Sequence, residues 1–418
     1  MSVTVPEPHW RHVPVRLDVE RWATRRIRRR VLVVVHTVIA GQRLLDTIRL
    51  LEGEIRVQVC FTQAPDVFSN GVSEFLERLG GLVLPWSQAV QTHFDLALAA
   101  GHGSLHELHA PVVVLPHGAG HNKIIQVGRR GRPVTQPGAY GLSRQRLVRD
   151  GAVVPEAIVL AHHEELARLG RECPEALAVA EVVGDPSFDR IAASLDSRAL
   201  YREALGVGTR QQLVLVCSTW GPDSLLGEGW GTLERLVSEL PRDEYRIAAL
   251  LHPHVWNAHG DWQVRTWLAP LVRSGLILPG PYEDWAGTLV AADDIVGDHG
   301  SVTLYGAMTG APVLMAGRSD APVDPGSPMA ELMSFAPRLR GDRPVLPQLK
   351  RGAAFCGARR HERVAARITS EPGRFARRMR ALLYRKLHLR APAARTTTEP
   401  ARIPLPVRHD GPGSVVPR

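Results

Sequence analysis

Asp293-Asp294-Ile295-Val296-Gly297-Asp298-His299-Gly300-Ser301-Val302-Thr303-Leu304-Tyr305-Gly306-Ala307-Met308-Thr309-Gly310-Ala311-Pro312-Val313-Leu314-Met315 is the stretch that decides the fold. Its first five residues read as a short buried strand, Asp298–Ser301 as a tight turn, 302–310 as a short helix and 311–315 as a second strand. Gly300 lets backbone approach a ligand, and the hydroxyls of Ser301 and Thr303 stand at the helix start. A helix start presents unpaired N–H groups and the positive end of a dipole, which favours an anion. Strand, turn, helix and strand in this order predict a parallel α/β sheet with a nucleotide diphosphate held at the carboxyl ends of its strands.

The same alternation extends in both directions. Upstream in the second half, Gln212–Cys217, Tyr245–Leu251 and Leu276–Leu278 read as strands. Gly229–Glu239, Val264–Ser274 and Trp285–Ala292 read as the helices between them. In the first half, the continuous β-branched run Val31–Val35 predicts a strand covered on both faces. Arg56–Phe61, Gly81–Pro85, Phe94–Ala99, Pro111–Leu115 and Ala157–Ala161 predict further strands. Helices are expected over Ala40–Leu51, Ser69–Leu79 and from His162. Val182-Val183-Gly184-Asp185-Pro186 reads as a hinge. The division expected is a basic lead-in over 1–30, an α/β domain over 31–190, a second over 191–350, a basic helical segment over 351–391, and disorder over 392–418.

With 418 residues and 44% hydrophobic residues, the chain has material for two cores. No apolar run is long enough to span a bilayer, and the start of the chain has no apolar signal core, so a cytoplasmic location is expected. The four cysteines lie far apart without a C-x-x-C pair, which argues against zinc and a disulfide framework. The net charge of +9 is uneven. Residues 11–30 carry eight Arg against two acidic residues, and 351–395 carry thirteen Arg/Lys against two Glu, whereas 31–350 are net acidic. Basic flanks suit an anionic surface, with arginine-rich coding bias as the alternative. Phe375, Met379, Leu382, Leu383 and Leu387 form an apolar stripe ringed by arginines over 374–390. Such a helix either lies on an anionic membrane or packs its stripe on the body, and the modest stripe favours packing.

Four loops leave strand ends in the second half: Ser218-Thr219-Trp220-Gly221, His252-Pro253-His254, Pro281-Tyr282-Glu283-Asp284 and Asp298-His299-Gly300-Ser301. In a parallel sheet these converge. Ser218 and Thr219 can donate to phosphate, His252 or His254 can neutralise a pyrophosphate or protonate a leaving phosphate, and the Tyr282 loop can read a base. In the first half, His117 follows a strand and is bordered by Gly118 and Gly120; an imidazole there suits proton abstraction from a hydroxyl. Lys123 can hold a phosphate. Each residue also has a structural alternative: Asp298 as a helix cap, Trp220 and Trp285 as core aromatics, single histidines as hydrogen-bonded surface groups. His162-His163-Glu164 lacks the histidine spacing of a zinc helix, and no P-loop or G-x-G-x-x-G follows the first strand.

These residues resemble a known family. Pro116-His117-Gly118 followed by Lys123 resembles the Trp-His-Gly…Lys segment of the CDP-glycerol glycerophosphotransferases that build teichoic acids. Gly184-Asp185-Pro186-Ser187-Phe188-Asp189 resembles their Gly-x-Pro-x-x-Asp turn, Leu251-His252-Pro253 their Leu-His-Pro element, and 292–313 their block ending in Lys-Pro, with Asp298, Gly300, Ser301 and Pro312 in matching places. The likeness spans about residues 110–315. It departs at Pro116, at Ala119–Lys123 and at Gly300, where the family has Trp, Thr-Pro-Leu-Lys and Ser. The Pro281-Tyr282-x-Asp284 loop and the Gly-Ser block also look like the non-hydrolysing UDP-N-acetylglucosamine 2-epimerases, but His36-Thr37-Val38-Ile39-Ala40-Gly41 lacks their Gly-Thr-Arg-Pro-Glu signature.

The resemblance implies a GT-B fold: α/β, two Rossmann-like doubly wound domains facing a cleft, here with basic flanking segments. It implies no metal and no cofactor beyond the nucleotide-diphosphate donor as substrate. It makes His117 the acceptor-side base, with His252 and Ser301 on the donor diphosphate. The expected function is transfer of a glycerophosphate or glycosyl unit to a hydroxyl acceptor, lipid-linked if the basic helix meets a membrane, in the cell-envelope or secondary-metabolite polymer class. The catalytic candidates are His117 and His252. The donor-binding candidates are Ser218, Thr219, His254, Tyr282, Asp298, Gly300, Ser301, Thr303 and Lys123. Nucleic acid is not expected as a partner, and the sequence leaves the oligomeric state open. The alternatives are a 2-epimerase-like enzyme and an inactive GT-B scaffold that senses nucleotide.

Overall fold

The computed structural model describes residues 24–124, 141–318, 320–355, 358–393 and 396–405. The chain divides into two compact units, and each is interrupted in sequence. The first comprises 1–189, 322–330 and 366–398; the second comprises 190–321, 331–365 and 399–418.

In the first unit the strands are β1 (Arg29–Val35), β2 (Val57–Gln63), β3 (Val83–Leu84), β4 (Leu96–Ala99), β5 (Val112–Val114), a small hairpin of β6 (Val148–Arg149) and β7 (Ala152–Val153), then β8 (Ala157–Leu160) and β9 (Ala180–Val182). Seven of them form one sheet in the order β3-β2-β1-β4-β5-β8-β9, and every neighbouring pair is parallel. Val31–Val35 are buried throughout, as a both-faces-covered strand requires. The order reverses between β1 and β4, in register Val34 with Ala99, so a crevice opens beyond their carboxyl ends.

In the second unit β10 (Gln212–Ser218), β11 (Tyr245–Leu251), β12 (Asp294–Gly297) and β13 (Val313–Met315) form a parallel sheet in the order β11-β10-β12-β13. The strand expected at Leu276–Leu278 is present only as a single parallel bridge from Ile277 to Ala248, which extends the β11 edge. The helix expected to run to Gly310 ends at Gly306, because the three residues after it turn back towards β13. The reversal here lies between β10 and β12, with Cys217 opposite Gly297.

The C-terminal segments are not appendages. Helix Phe375–Lys386 buries Phe375, Met379, Leu382 and Leu383, with Leu387 just beyond it, in the first unit. Arg378 pairs with Glu371, Arg385 with Glu181, and Lys386 with Glu156. Tyr384 donates its hydroxyl to Glu54 at 2.9 Å. Packing has thus taken the apolar stripe. Within the stretch expected to be disordered from 392 onward, Ala401 and Arg402 are hydrogen-bonded to the second unit; residues 406–418 of that stretch, and 1–23 of the basic lead-in, lie outside the described residues. Composition sees Pro, Arg and Thr; it does not see the partners that wait for their backbone. Among the described residues no helix is long and apolar enough to cross a membrane.

Leu383→Ala should lower the stability of the protein by about 2–5 kcal/mol through the lost burial and the cavity. Urea denaturation measures it; a cost below about 0.5 kcal/mol would mean that the helix is not part of the core.

Candidate functional site

In the second unit, the ends of β10, β11 and β12 lie side by side and their loops touch. The organiser is Asp298, 1% exposed. One of its oxygens accepts from the Thr219 amide at 2.8 Å, the Thr219 hydroxyl at 2.9 Å and the Leu225 amide at 2.9 Å; the other accepts from the Gly300 amide at 3.2 Å. The carboxylate thereby locks the 219–225 loop to the turn that starts helix Ser301–Gly306. Glycine is required at 300, where a Cβ would lie 2.5 Å from the Thr219 methyl group. At Gly317, with φ of +77°, an added Cβ would crowd the Leu225 amide at 3.3 Å.

Ser218 is also an internal tie. Its hydroxyl donates to the Thr219 carbonyl at 3.1 Å and accepts from the Leu226 amide at 3.2 Å. Thr303 is fully buried, and its hydroxyl lies where a Cβ on Gly297 would be 2.2 Å away, so it packs inside the unit. Ser301 and Tyr282 stay partly open.

His252 caps helix Pro253–His259: its Nδ1 accepts from the His254 amide at 3.1 Å. An accepting Nδ1 in a neutral ring puts the ring proton on Nε2, where it can be donated. Trp220 lies beside both imidazoles, with ring centroids 4.5 Å from His254 and 6.3 Å from His252. Burial, and then the neighbouring His259, lower the pKa of His254, which keeps it neutral near pH 7. Asp284 caps helix Trp285–Ala291 by accepting from the Ala286 amide at 3.2 Å, and Trp285 stacks on Tyr305 at 5.5 Å. The sequence-predicted residues Thr219, His252, His254, Asp298, Gly300 and Ser301 thus stand on three adjoining strand ends. Asp298 and Ser218 act there as internal fasteners, and Thr303 packs beside Gly297.

In the first unit, three histidines follow three adjacent strands: His36 after β1, His102 after β4 and His117 after β5. Only His117 was predicted. The 117 loop is held from behind by Arg43, which donates to the Gly118 carbonyl at 2.7 Å and pairs with the buried Asp185 at 3.2 Å. Asp185 in turn accepts from the Phe188 amide at 2.7 Å, and Asp189 accepts from Gly373 and Phe375 at 2.6 and 3.0 Å. The Gly-Asp-Pro-Ser-Phe-Asp turn is therefore a fastener for this loop and for helix Phe375–Lys386. Lys123 is exposed, and its backbone pairs with Val323 in a single antiparallel bridge.

A second set was missed. Buried Glu165 accepts from His121 Nδ1 at 2.8 Å and from the Ala161 amide at 2.7 Å, while His162 caps helix His163–Glu172 ahead of it. Burial alone would raise the Glu165 pKa, but His121, the Ala161 amide and Arg168 overcome it and hold the carboxyl at about 2. The signal was legible in outline, since His162-x-x-Glu165 is a capping box with histidine in the hydroxyl position. Protein packed around His117, whose ring still has an open face, lowers its pKa below the ordinary range; Lys123, His121 and Arg43 repel a proton in the same sense. Burial likewise lowers the pKa of His36, whose Nε2 bonds the Gly103 carbonyl at 2.9 Å and whose Nδ1 has no hydrogen-bond partner among the described residues.

Comparison with solved structures follows this geometry. The chain superposes on the wall teichoic acid polymerase TagF with a TM-score of 0.55 at 12% identity, covering 86% of this chain and 89% of that one. TagF with CDPG gives a TM-score of 0.55 at 12% identity over 87% and 90%. MnaA of S. aureus with UDP gives a TM-score of 0.51 at 11% identity over 86% and 96%. The chain has the GT-B fold. At these identities the GT-B relationship is distant and rests on architecture: two Rossmann-like units in one chain. No protein-family model and no curated protein matches the sequence.

The folded-state pKa of His36 lies below its unfolded value of 6.5. The stability it contributes is therefore complete above about pH 6.5 and is lost as pH falls and the unfolded chain takes up the proton, at up to about 1.4 kcal/mol per pH unit. His36→Gln keeps a donor for Gly103 but does not titrate. Its urea midpoint should fall less than that of the wild type between pH 7 and pH 5, and equal slopes would show that His36 titrates normally.

Proposed function

We propose that the chain is a transferase that takes a nucleotide-diphosphate donor in its second unit and moves a glycerophosphate or glycosyl unit to a hydroxyl acceptor. The observation that carries this reading is the fastening of the β10 and β12 loops by Asp298, with the β11 loop beside them through Trp220 and His252. Thr219 and Trp220, His252 with a donating Nε2, and the Gly300–Ser301 turn stand together where parallel sheets hold nucleotides. The short helix at 301 adds its N–H groups to that set without carrying it alone. TagF, solved with CDPG, and MnaA, solved with UDP, share the architecture and support a nucleotide-linked donor.

His252 Nε2–H and the Ser301 amide bind the diphosphate and hold the charge that gathers on the leaving nucleotide. His117, neutral near pH 7, is the base. The acceptor hydroxyl gives its proton to the imidazole while its oxygen attacks the donor. With CDP-glycerol the attacked atom is phosphorus and CMP leaves with the bonding pair; with a UDP-sugar it is the anomeric carbon and UDP leaves. Tyr282, on the loop before helix Trp285–Ala291, faces the base, and Lys123 assists a phosphate of the acceptor.

CDP-glycerol, UDP-sugars and plain nucleotides should be compared by calorimetry and turnover. A diphosphate donor should bind, and His252→Ala should weaken it roughly tenfold, the loss of a hydrogen bond to a charged group. His117→Ala should lower turnover by about 100-fold or more and leave donor affinity intact. Wild-type turnover in His117→Ala removes the base assignment; unchanged affinity in His252→Ala removes the diphosphate assignment. Solvent deuterium appearing at C2 of a UDP-sugar would instead assign 2-epimerase chemistry.

A further inference from the structure

Residues 399–405 run along the second unit, far in sequence from the partners they bond. The Ala401 amide donates to the Ser194 hydroxyl at 2.7 Å, and the Ala401 carbonyl accepts from the Tyr201 hydroxyl at 2.8 Å. The Arg402 amide donates to Asp284 at 2.7 Å. Ala401 and Pro404 are buried, whereas Arg402, Ile403 and Leu405 are exposed. The strap lies so close to helix Trp285–Ala291 that a Cβ at Gly287 would be 3.0 Å from the Arg402 carbonyl and 3.2 Å from Pro404.

Asp284 is the meeting point. One oxygen accepts from the Ala286 amide and so starts the helix; the other takes the Arg402 amide and the Arg190 guanidinium. That carboxylate also closes the Pro281-Tyr282-Glu283-Asp284 loop. The helix it starts carries Trp285, which stacks on Tyr305 of the helix beginning at Ser301. A backbone N–H more than a hundred residues away in sequence therefore fixes the carboxylate on which one end of the donor loop hangs.

We infer that the strap 399–405 is a positioning element of the donor site, holding the Tyr282 loop through the Arg402 amide and Asp284 so that it can read the base of a nucleotide. This rests on the donor-site reading above and assigns a role to residues outside the nucleotide constellation. Because the Arg402 contact is made by main chain, the side chain is dispensable and the N–H is not. Proline at 402 removes the donor; alanine keeps it.

The full-length Arg402→Pro and Arg402→Ala proteins separate the two. In ligand-free amide hydrogen exchange, the amides of 282–291 should exchange roughly tenfold faster in Arg402→Pro than in the wild type, with Arg402→Ala like the wild type. Titration with CDP, UDP and inorganic pyrophosphate should then show nucleotide affinity weakened roughly tenfold in Arg402→Pro and pyrophosphate affinity unchanged. Unchanged exchange in Arg402→Pro overturns the inference. So does an equal loss for nucleotide and pyrophosphate, which marks a general loosening of the unit, and so does an effect shared by Arg402→Ala. If the wild type binds neither nucleotide, the donor-site reading fails, and the exchange measurement still decides whether the strap holds the loop.

Discussion

One buried carboxylate governs the second unit. Asp298 has no water to solvate it, so it persists only because three amides and a hydroxyl aim at its two oxygens. Those donors come from two separate loops, and satisfying the charge forces the loops into one arrangement. Everything else in the constellation is a consequence. Thr219 must approach so closely that residue 300 has no room for a side chain. A charge that cannot be left unpaired is a stronger registration device than apolar contact, because the alternative arrangements each strand it.

The first unit uses the same device with different parts. Asp185 and Arg43 hold one another in the interior, and Arg43 passes that constraint to the Gly118 carbonyl, next to the histidine that carries the proposed proton transfer. Glu165 does likewise for His121 and for the start of its own helix. In both units the groups that face solvent are few and the groups that aim them are acidic, buried and saturated with donors. This is how a Rossmann-like sheet, whose strand ends are otherwise loosely tethered loops, presents side chains in a fixed geometry.

Much of this was readable from the chain. Val31–Val35 and Tyr245–Leu251 are runs whose β-branched and apolar character admits little but a covered strand, and both are strands in the structure. The 293–315 stretch announced its architecture through Gly300 and Pro312. What could not be read was contact between distant segments. Asp298 was visible as a cap or a ligand-binding residue, but its partner Leu225 is 73 positions away and carries no polar side chain to mark it. Glu165 went unnoticed because the capping residue is a histidine. Residues 399–405 look like linker because their anchorage is main chain, and composition records only side chains. The helix after Arg374 was ambiguous for a related reason: an apolar stripe has the same spacing whether lipid or a β-sheet covers it.

The division of the chain into interleaved segments has a bearing on synthesis. The sheet of the first unit is complete once residue 182 has left the ribosome, but the helix that covers Glu54 and the β9 edge arrives only with residues 375–387. Between those moments the nascent unit must carry an uncovered apolar face while most of its neighbour is being made. Vectorial folding therefore cannot finish one half before starting the other. The protein is assembled rather than strung together, and neither half can be recovered by a single cut.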